Sequence, residues 1–174
     1  MREGTKRRYL PEFVYGGIDG AITTFAVVSG VVGASLSSAI VLILGFANLF
    51  ADGFSMAVSN YLSVKSRNEI KKPRESKRNE FKTATVTFFS FLVIGFIPLF
   101  SFVIASATGN EWLSNNQFRN SFVLTGIALI IVGWLKGDVT ENNKVKSSLQ
   151  TLGIGGVAAL LAFSAGYFIK SLVG

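Results

Sequence analysis

The sequence predicts an all-α, polytopic membrane protein: a single domain over residues 1–174 with five transmembrane helices and a cytoplasmic N-terminus. Three observations carry that prediction. Apolar residues make up 49% of the 174-residue chain, and the mean hydropathy is +0.47. Charged residues are only 16%, against about 25% in soluble domains. The charges are also clustered, so that long apolar runs alternate with short basic stretches.

A spanning helix needs about 17–25 apolar residues to cross the hydrocarbon core. Five runs qualify: 13–32, 38–62, 84–107, 121–135 and 149–169. The first follows a basic start but has no small-residue cleavage pattern, so it is read as a retained span rather than a signal peptide. Gly33-Ala34-Ser35-Leu36-Ser37 is a small polar turn that makes a hairpin of the first two runs. Pro98 is expected to kink the third. The fourth is the shortest, and Phe118 and a snorkelling Lys136 would lengthen it. A basic linker, 63–83, joins the second and third runs, and its Pro73 interrupts any continuous helix. Gly16, Gly17 and Gly20 in the first run, and Gly153 and Gly156 in the last, are expected to let helices approach closely.

Orientation follows from Lys and Arg. The N-terminal stretch carries Arg2, Lys6, Arg7 and Arg8. The second connection carries Lys65, Arg67, Lys71, Lys72, Arg74, Lys77, Arg78 and Lys82, and the fourth carries Lys136, Lys144 and Lys146. With five spans these share one side, leaving Arg119 and Lys170 on the other, so the basic side is expected in the cytoplasm. Tyr15, Tyr61 and Trp134 would lie at the inner interface, and Trp112 and Tyr167 at the outer one. The net charge of +7 then meets lipid headgroups and not nucleic acid.

The chain has no cysteine and no histidine, which removes disulfides, thiolate metal sites and imidazole ligands. No phosphate-cradling loop, nucleophile elbow or zinc-hydrolase pattern is present. The intramembrane aspartyl-protease signature, Gly-x-Gly-Asp with Tyr-Asp, is absent too: Asp19 follows Gly17-Ile18, and Asp52 follows Phe50-Ala51. The sequence therefore predicts no enzyme.

Two acids stand out because they lie inside apolar runs. Asp19 is roughly 10 Å from the basic end of its helix and Asp52 roughly 15 Å, at 1.5 Å per residue. A charge at such depth costs about 2.5–3.5 kcal/mol on insertion scales and marks a functional site by default. No Lys or Arg in a span is available to pair with them, so a cation, a proton or water is required. The alternative is a protonated pair hydrogen-bonded between helices. Asn48, Asp52, Met56 and Asn60 recur at four-residue spacing, which puts them on one helix face. Oxygen donors with a thioether suit a first-row divalent metal, although a methionine in an apolar helix also fills gaps.

The segments Gly17-Ile18-Asp19-Gly20 with Thr23-Thr24-Phe25-Ala26-Val27-Val28-Ser29-Gly30, and Asn48-Leu49-Phe50-Ala51-Asp52-Gly53-Phe54-Ser55-Met56-Ala57 with Tyr61-Leu62-Ser63, resemble the first two spans of the vacuolar iron transporter family. Thr87–Leu92 with Gly95 and Pro98-Leu99, Lys136-Gly137, and Gly153–Ala159 are similar to its later spans. The resemblance implies a homodimer through the first two spans and proton-coupled export of Fe²⁺ or Mn²⁺ from the cytosol, with no resident cofactor. Asp19 and Met56 match family positions in the ion path. Asn48 falls where plant and fungal members often carry Glu, and Asp52 where some carry a small residue. The helical metal-binding domain of iron-transporting members is missing from the short second connection. The expected membrane is the plasma membrane of a prokaryote, or a vacuolar or other endomembrane of a eukaryote. The alternative is a non-transporting membrane scaffold, or a family member with a different cargo.

Overall fold

Six helices follow one another among the described residues, which are 2–71 and 78–173 of a computed structural model, with side chains from residue 8. They are α1 (Arg2–Gly33), α2 (Ser38–Ile70), α3 (Glu80–Gly95), α4 (Ile97–Thr108), α5 (Glu111–Val139) and α6 (Lys144–Val173). No strand occurs among the described residues. From Arg8 onward α1 is long and apolar enough to cross a bilayer, as are α2, α5 and α6; α3 and α4, bent by 50° at their junction, reach that length only as a pair, which gives four spans or up to five. The molecule is an α-helical, multi-pass membrane protein.

The local causes are plain. Between α1 and α2, Ser35 takes a left-handed turn (φ 55) and the Leu36 N–H returns to the Val31 carbonyl at 3.0 Å. The third span breaks at Phe96, because Pro98 sits in the first turn of α4 and has no N–H to extend the ladder. Ser121 of α5 donates to the Pro98 carbonyl at 2.6 Å, which satisfies a backbone group beside the break from a neighbouring helix.

Two expectations shift. The helix that holds the fourth apolar run extends well beyond 121–135: Asn110 caps α5 by accepting from the Leu113 N–H at 3.1 Å, so its polar first turns are helical as well. The described ends of the basic linker, 63–70 and 80–83, are helical, since no glycine or proline stops α2 before Ile70 and Asn79 caps α3. Lys72, Pro73, Arg74, Glu75 and Lys77, and the side chains of Arg2, Lys6 and Arg7, lie outside the described residues.

The central helix is α1, which packs against α2, α3, α5 and α6. Glycines set its approach to α3. A Cβ at Gly16 would lie 2.7 Å from the Thr87 carbonyl oxygen, and one at Gly20 would lie 2.5 Å from that of Phe91. Gly153 and Gly156 do not act this way, because they face open space; Gly155 against Leu129 and Gly166 against the Gly30 backbone make the close contacts of α6. Phe25, Val28, Leu49, Phe91, Leu99 and Phe102 form the core. Large apolar side chains such as Ile154, Leu160 and Phe168 on α6 point outward, and so do Tyr15, Tyr61, Trp112, Trp134 and Tyr167. That surface suits lipid and aromatic interface belts.

Candidate functional site

Asp19 on α1 and Asp52 on α2 lie within electrostatic reach of each other. Both are half-buried, and the Asp52 charge acts on Asp19. The Thr23 hydroxyl donates to the Asp19 backbone carbonyl at 2.9 Å, which leaves the carboxylate itself uncommitted. Among the described residues neither carboxylate has a salt bridge or a side-chain hydrogen-bond partner. Two carboxylates within electrostatic reach repel each other when both are charged, the more so in a low-dielectric region.

The four-residue stripe on α2 does not behave as one face. Steps of four residues advance about 40° per step on a helix of 3.6 residues per turn. Asn48 and Asn60 therefore end up about 120° apart. Asn60 turns toward α3 and donates its Nδ2 to Thr87 Oγ1 at 2.7 Å, while that hydroxyl donates to the Thr83 carbonyl at 3.0 Å. Asn48 stays on the Asp52 side, and its buried Nδ2 has no partner. Met56 is half-buried against the core cluster, so it fills a gap whether or not its sulfur also meets an ion. On α1 the buried hydroxyls of Thr24 and Ser29 are unpaired as well. No cluster of three acids occurs among the described residues. Of the predicted donors, Asn60 is committed to α3 and Met56 packs on the core, while Asp19, Asp52 and the Asn48 amide nitrogen have no side-chain partner among the described residues.

A second polar cluster escaped the sequence reading. Glu12, buried on α1, receives Arg78 in bidentate fashion: Nη1 to Oε1 at 2.7 Å and Nη2 to Oε2 at 2.9 Å. Arg78 also donates to the Arg8 carbonyl and lies over the Tyr9 ring at 5.5 Å, although its Nε has no partner. Asn68 completes the clasp. Its Nδ2 donates to the Arg78 carbonyl at 2.7 Å and to Glu80 at 3.1 Å, and its Oδ1 accepts from the Arg78 N–H at 3.1 Å. The clasp joins α1, α2 and α3 at the basic end of the bundle. One signal could have found it: Glu12 lies two turns before Asp19 on the same flank of α1.

The profile of the VIT family matches residues 10–83 and 67–167. A "Vacuolar iron transporter" of Plasmodium berghei is 27% identical, covering 94% of this chain and 83% of its own length. A protein of the same name from Toxoplasma gondii is 26% identical over 98% of this chain and 77% of its own. "Vacuolar iron transporter homolog 3" of Arabidopsis thaliana is 26% identical over 97% and 85%. These relatives bear the names of transporters and not of enzymes. The Plasmodium alignment spans 226 positions, more than the 174 residues here, whereas the Arabidopsis alignment spans 182. The first relative thus carries stretches that this chain lacks.

Proposed function

The chain belongs to the VIT family, and on that premise we propose that it carries divalent transition-metal cations, Fe²⁺ or Mn²⁺, out of the cytosol in exchange for protons. One observation carries the proposal: two carboxylates, Asp19 and Asp52, lie in long apolar helices within electrostatic reach of each other, and neither has a basic partner among the described residues. A divalent cation neutralises both at once. Protons neutralise them equally well, so loading from one side and release by protonation on the other is the exchange such a pair supports. Asn48 and Met56 lie one turn to either side of Asp52 on α2, and a thioether ligand would favour a transition metal over Mg²⁺.

The basic end is the cytoplasmic one on this proposal, as the Lys/Arg asymmetry favours, and the vacuolar names of the relatives favour an endomembrane. A second copy belongs against α2. The α1 helix is enclosed by α3, α5 and α6, whereas α2 exposes Leu44, Ala51, Ser55 and Leu62 beside Asp52. The half-open position of both aspartates fits a site completed by a partner. The two matched pieces of the family profile overlap at 67–83, so the missing family residues belong in the α2–α3 connection. The basic residues there would repel cations, and metal must reach the aspartates without a gathering domain.

The test is metal uptake into proteoliposomes with and without a pH gradient. Gradient-stimulated Fe²⁺ or Mn²⁺ flux that is lost in Asp19→Asn supports the proposal. Absence of flux for any divalent metal overturns it in favour of a scaffold or another cargo.

A further inference from the structure

An apolar groove of about 460 Å³ runs between α2 and α3 on the outer surface. Phe54, Val58 and Tyr61 of α2 and Phe81, Phe88 and Phe89 of α3 line it. Two side-chain contacts fix the antiparallel register of its walls, Asn60 to Thr87 at 2.7 Å and Asn68 to the Arg78 carbonyl at 2.7 Å. Equal steps from Asn60 and Thr87 toward the clasp bring Lys65 and Lys82 to the same level. Lys65 continues the α2 face through Phe54, Val58 and Tyr61, and Lys82 continues the α3 face through Thr85 and Phe89, by the three- and four-residue spacing of a helix. Both lysines are exposed, and neither forms an ion pair among the described residues; Glu69, one turn beyond Lys65, is in none either. Two like charges thus crown an open, aromatic-walled groove at the bundle's basic end.

We propose that this groove is a binding site for an anionic diacyl phospholipid, with one acyl chain along the aromatic walls and the phosphate between Lys65 and Lys82. Charge complementarity selects the headgroup, since a phosphate with no balancing cation relieves the repulsion of the two ammonium groups and a zwitterionic headgroup relieves it less. The groove does not compete with the ion site. On α2, the buried line Gly45–Leu49–Gly53 separates the groove wall from the flank bearing Asn48 and Asp52. The proposal rests on the α2–α3 register and not on the transport proposal. A bound lipid would brace α2 against α3 at the turns that neighbour the clasp.

The experiment is native mass spectrometry and thermal melting of the full chain in detergent, with dioleoylphosphatidylglycerol or dioleoylphosphatidylcholine added. Wild type is expected to retain one phosphatidylglycerol per chain, with at least about tenfold preference over phosphatidylcholine, and to melt higher with it. Lys65→Gln/Lys82→Gln should lose that preference. Arg67→Gln/Lys146→Gln removes the same charge from exposed basic-end positions outside the groove, and should keep it. Equal loss in both double variants would mean diffuse attraction only and would overturn the site, as would retention in Lys65→Gln/Lys82→Gln. The chain has no native cysteine, so Ala84→Cys in the groove reports a second copy cleanly. A disulfide-linked dimer in native membranes would give the groove to protein and contradict the lipid.

Discussion

Two acids on one flank of α1, two turns apart, meet opposite fates. Glu12 is held by both terminal nitrogens of Arg78, whose backbone is fixed in turn by Asn68. Asp19 has an acid for a neighbour and no basic partner. The fold evidently can bring an arginine to this flank and does so where the helices meet the basic connection. Buried polar groups are almost always satisfied; the exceptions among the described residues include the Asn48 amide and the Thr24 hydroxyl on the two helices that carry the aspartates. The clasp pairs its acid with a base from within the chain, with only the Arg78 Nε left over. The aspartates have no such partner among the described residues, and on the transport proposal a cation or protons supply it.

Function should break where stability does not. Asp19→Asn and Asp52→Asn each remove a charge-assisted contact to the cargo, worth about 1.5–3 kcal/mol. Transport flux should fall about 10- to 100-fold at 1.36 kcal/mol per decade. The metal-free melting temperature should hold or rise, because repulsion is relieved. A melting temperature that drops in Asp19→Asn would make Asp19 structural, like Glu12.

The reverse holds at the clasp. The side chains of Arg78 and Glu12 are 28% and 11% exposed, between surface pairs worth about 0–1 kcal/mol and buried pairs whose breaking costs about 3–5 kcal/mol. Glu12→Gln should therefore cost about 2 kcal/mol, or roughly 4–8 °C in melting temperature for a chain of this size. Flux per folded molecule should persist. In Glu12→Gln/Arg78→Gln the two losses should fall short of additive, since neither charge is left alone.

The asparagines sharpen the same contrast on a smaller scale. Asn60→Ala should lose about 1 kcal/mol with its bond to Thr87 and leave selectivity alone. Asn48→Ala should leave stability nearly unchanged and weaken metal binding. Met56→Leu conserves volume and should cost less than about 1.5 kcal/mol. A shift of preference from Mn²⁺ toward Mg²⁺ in a competition assay would show the sulfur acting on the ion.

Much of this was legible in the sequence because the bilayer makes patterns coarse. A charge inside an apolar run is conspicuous, so Asp19 and Asp52 could be singled out; glycine and proline mark the hairpin and the bent third span. The start of α5 was hidden because hydropathy reads the span and not the helix, and a capped polar turn extends the helix beyond it. The clasp was hidden for a different reason. Glu12 and Arg78 are 66 residues apart and sit in charged stretches where any of several bases could pair with any of several acids. Asn60 shows a third limit, since four-residue spacing holds a face for one or two turns and then wraps around the helix.

The most direct test of the central contrast is Mn²⁺ binding to the purified chain, measured by titration calorimetry or by loss of the free-ion electron spin resonance signal, in wild type, Asp19→Asn, Asp52→Asn and Glu12→Gln. Binding that is lost in both aspartate variants and kept in Glu12→Gln is the predicted result. Binding that survives in both aspartate variants would contradict it, and would show that the unpaired carboxylates are not where the ion sits.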